Sequence, residues 1–250
     1  MIVGAEGRFQ EQLQEQDWHT INVARLEALK VSVLGDYKDL FVIYHPETNM
    51  EYAKKVDAAY KAGIRYFILH NYPNHVDFGF ERWWRTGHEF SGWWGEKALA
   101  LKEYFDDSKI GLPTMFPGGD VELVQADSWR FFSECQKALS IADFYELECS
   151  WNNWYEMRQE LCRVDSYCLH YDKPISITFY NSNSHVSKSE KVNQYLQFCE
   201  ELKRHNKVFV AFVRRLSSAR EIDKFLVLRG EQVGSPSVIA RKMANLFQVY

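Results

Sequence analysis

The sequence predicts an α/β fold of parallel strands, a (β/α)8 barrel. Eight short apolar runs punctuate the chain, at residues 2–3, 28–33, 40–44, 66–70, 110–116, 144–149, 174–179 and 208–213. Longer helical segments alternate with them, at 17–26, 49–62, 95–105, 128–139, 153–165 and 188–205, and a last one at 235–247 closes the chain. Such alternation gives a parallel sheet with right-handed crossovers, and eight units close into a barrel. A length of 250 residues suits one domain of this kind, spanning 1–250.

The first strand is the pair Ile2 and Val3, and the second is read at 28–33. Only "LGDYKD" separates the second strand from the third. Six residues are too few for a full helix, so the barrel is expected to lack the helix between strands 2 and 3. The helix at 49–62 starts from Asn49 as a cap and carries Tyr52, Val56, Ala59 and Tyr60 at helical spacing. It stops before Gly63, which can take the left-handed conformation of a helix end. The helix at 188–205 repeats the pattern with Val192, Tyr195, Leu196 and Cys199. An open doubly wound sheet is the alternative.

Hydrophobic residues make up 46% and charged residues 26%, an ordinary globular composition. A net charge of −4 argues against nucleic acid as a partner. No run approaches the roughly 20 apolar residues of a membrane span, and "MIVGAEGRFQ" does not read as a signal peptide. A soluble, cytoplasmic protein is the expectation. The five cysteines form no CxxC pair and read as free thiols. "PGGD" lacks the Lys and Ser/Thr of a phosphate loop, and His70 and His75 match no zinc spacing, so neither cofactor nor metal is predicted.

In a barrel, chemistry belongs at the C-terminal ends of the strands. After the fourth strand the chain reads His70-Asn71-Tyr72-Pro73-Asn74, and the seventh ends Thr178-Phe179-Tyr180-Asn181. Glu146 and Glu148 lie two apart on the sixth strand and point to the same side. A salt-bridged layer, a ligand contact and a relocated catalytic acid all remain open for them. Aromatic residues reach 16% with eight tryptophans. Trp83, Trp84, Trp93 and Trp94 fall in the long loop read after the fourth strand, and Trp151 and Trp154 follow the sixth. Indoles in polar loops suit stacking on the apolar C–H faces of sugar rings. They equally suit a satellite core under the loop. One member of each pair is expected buried and one open to ligand, while Trp18 and Trp129 read as packing residues.

At the fourth and seventh strand ends the sequence resembles the clan A glycoside hydrolases, the cellulase-like (β/α)8 barrels. "HNYPN" is similar to the Asn-Glu-Pro ending that carries the acid/base in that clan, with Tyr72 in the Glu position. "KPISITFYN" is similar to the Ile-Thr-Glu-Phe ending that carries the nucleophile, with Phe179 in the Glu position. Weaker likenesses lie in "ARLEALKVSV", "IGLPTMFPGGDV" and "SWRFFSECQKALSIADFYELECSWNN". The resemblance implies a site at these strand ends around Asn71, Tyr72 and Phe179, and with the residues read above, Trp83, Trp84, Trp93, Trp94, Glu148 and Trp151, these are the expected ligand-binding residues.

A retaining glycosidase needs two carboxyl groups about 5–5.5 Å apart. A phenol with pKa near 10 is a poor proton donor at neutral pH, and a phenyl ring can neither donate a proton nor attack. The substitutions therefore predict a barrel that binds carbohydrate without hydrolysing it, with no catalytic residue assigned. A glycosidase with relocated carboxylates, Glu148 foremost, and a structural or interaction barrel are the alternatives.

Overall fold

The computed structural model describes residues 2–7, 23–27, 41–45, 52–61 and 64–214. In chain order the elements are β1 (Ile2–Gly7), β2 (Val23–Glu27), β3 (Phe41–His45), α1 (Tyr52–Lys61), β4 (Tyr66–Ile68), α2 (Gly87–Tyr104), β5 (Lys109–Leu112), α3 (Ser128–Glu134), α4 (Gln136–Ile141), β6 (Phe144–Trp151), α5 (Trp154–His170), β7 (Ile175–Asn181), α6 (Lys188–Leu202) and β8 (Val208–Arg214). The strands follow one another in the order β1 to β8, the order of a (β/α)8 barrel. The chain forms two compact units, Ile43–Leu147 and the pair Met1–Val42 with Glu148–Tyr250.

In the unit built from both ends of the chain, β1 pairs in parallel with β2 through Ala5↔Ala24 and with β8 through Ile2↔Val210. A first strand bonded to the last is what an open doubly wound sheet lacks. β7 pairs with β8 through Thr178↔Phe212 and Phe179↔Val213. Asn153 caps α5 by accepting from the Tyr155 and Glu156 N–H groups, and Ser187 caps α6 by accepting from Glu190 N–H.

In the central unit β3 pairs with β4 through Ile43↔Tyr66, β4 with β5 through Phe67↔Ile110, and β5 with β6 through Gly111↔Phe144. Phe67, Ile68, Ile110 and Leu112 are buried, as strands covered on both faces require. Helix α2 packs closely on α3 because Gly87 has no side chain: a Cβ there would stand 2.0 Å from the Phe131 carbonyl oxygen.

Two expectations change. Residues 23–27 form β2, where the sequence reading ended a helix, while the expected second strand at 28–33 lies outside the described residues. The missing helix expected between β2 and β3 falls at 28–40, outside the described residues, like the helix expected at 235–247. Helix α2 begins at Gly87 rather than at residue 95, which moves Trp93 and Trp94 from a loop onto a helix.

Candidate functional site

The chain leaves β4 through a strained turn. His70 and Tyr72 both hold positive φ, 78° and 42°, a region that costs a non-glycine residue about 1–3 kcal/mol. The surroundings impose it. Tyr72 N–H donates to the Thr114 carbonyl at 3.2 Å, and the Tyr72 carbonyl accepts from His75 N–H at 3.0 Å. Asn74 is fully buried and clamps the neighbouring loop, donating to the Phe116 and Ala126 carbonyls and accepting from Phe116 N–H at 2.7 Å. The Tyr72 ring, 7% exposed, lies edge-on to Phe78 and Phe116 at 5.3 and 5.4 Å. Asn71 beside it is half-buried.

His70 turns into an aromatic box of Trp84, Phe90 and Trp93, with ring centroids 5.1, 5.8 and 5.6 Å away. Burial pushes its pKa down to about 4, partly offset by its hydrogen bond with the Asn71 backbone. The imidazole is therefore neutral at pH 7. Trp84 donates its indole N–H to the Pro73 carbonyl at 2.6 Å, and Trp94 donates to the Leu69 carbonyl at 3.2 Å. Both are buried, whereas Trp83 is 62% exposed and Trp93 half-buried. Each pair divides into a buried and a more open member; Trp94 ties the β4 exit to α2, and Trp84 ties it to the turn that precedes α2. Gly79 permits this, because at φ 112° a Cβ would meet the Trp83 ring at 2.4 Å. Trp129, expected to pack, is 39% exposed, and Trp18 lies outside the described residues.

In the other unit, Trp151 and Phe179 come together, but away from any open surface. Both are fully buried, with rings stacked 6.1 Å apart, and both pack on Tyr195 and Phe198 of α6. The Trp151 indole donates to Gln194 Oε1 at 2.7 Å. These two residues belong to the core between sheet and helix, which corrects the expectation that they face a ligand. The cause is strand parity: Ile175, Ile177 and Phe179 share the helix face of β7, so Ser176, Thr178 and Tyr180 share the other. Tyr180, not among the expected ligand residues, is half-buried at the end of that other face.

Parity on β6 sets Glu146 and Glu148 opposite Trp151, and both carboxylates are buried, at 1% and 6% exposure. The Glu148 carbonyl accepts from the Arg163 guanidinium of α5, which also pairs with Glu160 at 2.6 Å and lies 3.8 Å from the Cys149 sulfur. Burial raises the Glu160 pKa, against the opposing pull of Arg163.

No carboxylate lies on β7 or between Tyr66 and Val76 of the β4 exit. Neither stretch can supply the paired acids of a retaining hydrolysis. Among the described residues no group of three His, Cys, Asp or Glu is placed to hold a metal. Among them, too, no helix is long and apolar enough to cross a membrane.

No protein-family model and no curated protein matches the sequence. Solved structures do resemble it. An endo-β-1,3-glucanase of family GH128, subgroup IV, from Lentinula edodes aligns with TM-score 0.59 at 14% identity, over 84% of this chain and 82% of that one. A GH128 subgroup VI exo-β-1,3-glucanase from Aureobasidium namibiae aligns with TM-score 0.58 at 11% identity, over 85% and 83%. A GH128 subgroup VII oligosaccharide-binding protein from Trichoderma gamsii aligns with TM-score 0.58 at 11% identity, over 99% and 96%. The fold is that of the glycoside hydrolase barrels.

Proposed function

We propose that this chain is a glycoside hydrolase-like barrel that binds oligosaccharide without cleaving it. The observation that carries the reading is the absence of any acid on β7 and on the β4 exit, with tyrosines at both ends: Tyr72 and Tyr180. A phenol neither protonates a glycosidic oxygen efficiently at pH 7 nor attacks an anomeric carbon without a neighbouring base. Glu146 and Glu148 of β6 are both buried, and neither stands at the β4 or β7 end that carries an acid in the resembled clan.

The similarity to an oligosaccharide-binding GH128 protein along nearly the whole chain supports the binding half. Its GH128 neighbours act on β-1,3-glucans, so β-1,3-linked gluco-oligosaccharides are the ligand class to try first. The open rings of Trp83 and Phe116 and the half-buried Trp93 suit sugar faces. Calorimetric titration with oligosaccharides of defined linkage, followed by analysis of the same samples for new reducing ends, tests both halves.

One observation favours a second reading, a structural or interaction barrel. Tyr72, Trp84, Trp94, Trp151 and Phe179, five of the nine expected ligand residues, lie in the core. Absence of heat with any oligosaccharide at millimolar concentration would favour it.

A further inference from the structure

We infer that Tyr180, not Phe179, is the aromatic residue that β7 offers to a bound sugar; the inference rests on the carbohydrate-binding reading above. The two faces of β7 are assigned by their partners. Phe179 packs on Tyr195 and Phe198 at 5.7 and 5.1 Å, while Asn181 accepts no place on the far side: its N–H donates to Tyr195 Oη at 3.0 Å and its Nδ2 to Gln194 Oε1 at 2.6 Å. Residues 179 and 181 thus face α6, and residue 180 faces away from it.

Burial along that second face changes in one direction. Ser176 and Thr178 are buried, at 1% and 0%, and Tyr180 is half-buried. The neighbouring strand β6 repeats the trend, with Glu148 buried and Ser150 half-buried. Both faces open at their C-terminal ends, where ligands of (β/α)8 folds bind.

The strand end is held rigidly. Ser182 N–H donates to the Trp151 carbonyl at 2.9 Å, Ser182 Oγ to Asn152 Oδ1 at 2.8 Å, and Asn183 Nδ2 to the Asn152 carbonyl at 3.2 Å. Gln194 Oε1 takes hydrogen bonds from both Trp151 and Asn181. A ring on a fixed strand gives up little freedom when ligand arrives. Its apolar body can stack on the C–H face of a pyranose while its hydroxyl meets a sugar hydroxyl.

Two readouts test this. In Tyr180→Cys and Phe179→Cys, iodoacetamide labelling of the native protein with peptide mass spectrometry reads which face is open. The thiol introduced by Tyr180→Cys is expected to react, and the one introduced by Phe179→Cys only after unfolding; the reverse order overturns the inference. Calorimetry with a six-unit β-1,3-gluco-oligosaccharide then compares the natural protein with Tyr180→Ala and Tyr180→Phe. The inference predicts at least a ten-fold weaker Kd for Tyr180→Ala and a change of only a few-fold for Tyr180→Phe. Unchanged affinity in Tyr180→Ala overturns the inference and leaves the binding function standing. Natural protein that gives no heat overturns both.

Discussion

The Phe179 ring lies parallel to the Trp151 indole, with planes 6° apart and centroids 6.1 Å apart, in a pocket completed by Tyr195 and Phe198. The ring is fully buried among aromatic neighbours, where no bulk water reaches a charge. Phe179→Glu should therefore destabilise the fold by several kcal/mol, the cost of an unpaired buried carboxylate. Tyr180→Glu, on the partly open face, should be tolerated with a small change in melting temperature. Thermal unfolding of the two variants side by side checks the parity of β7.

The paired tryptophans divide the same way. Trp84 and Trp94 are buried and spend their indole N–H groups on the Pro73 and Leu69 carbonyls. Trp84→Ala and Trp94→Ala should each cost about 3–5 kcal/mol. Trp83→Ala, at an exposed position, should stay within about 0.5 kcal/mol. Urea unfolding midpoints measure all three.

His70 makes stability depend on pH. Its pKa falls from 6.5 in the unfolded chain to about 4 in the aromatic box. Above pH 6.5 both states hold a neutral ring and the group has no effect. Between pH 6.5 and 4 the unfolded chain binds a proton that the native state refuses, so stability declines as pH falls and levels off below about 4. The total loss is on the order of 3 kcal/mol. His70→Asn, whose side chain tolerates the left-handed backbone, should remove this limb. Denaturant unfolding at pH 7 and pH 4.5 for both proteins reads the difference.

Arg163 joins α5 to the end of β6 through the Glu148 carbonyl and Glu160. Arg163→Met strands a largely buried carboxylate and should cost about 2–3 kcal/mol, of which Glu160→Gln in the same chain should restore a part. A double-mutant cycle by chemical denaturation measures the coupling.

Much of this is legible in the amino-acid order. The strand–helix rhythm places β3 to β8 because each is a compact apolar run between turn residues. "ISITFY" alternates Ile175, Ile177 and Phe179 with Ser176, Thr178 and Tyr180, which is the parity that buries Phe179. The likeness to a tetrapeptide motif points to Phe179, and the alternation points to Tyr180. Thr86 and Glu89 stand in capping-box spacing, and Thr86 Oγ1 does accept from Glu89 N–H at 3.2 Å. The Gly- and Trp-rich "GHEFSGWW" nevertheless reads as a loop, because its helical face is built for Phe131 and Ile141 of neighbouring helices rather than for a simple amphipathic stripe. The strained turn at His70 and Tyr72 had no sequence signal, since it is imposed by Thr114 and Asn74 from distant or buried positions.

The central claim, recognition of oligosaccharide without turnover, is tested most directly by titrating the natural protein with a β-1,3-gluco-oligosaccharide in a calorimeter and then chromatographing the cell contents. Saturable heat with the oligosaccharide recovered intact is the predicted result. Shortened oligosaccharides, or no heat at millimolar ligand, would contradict it.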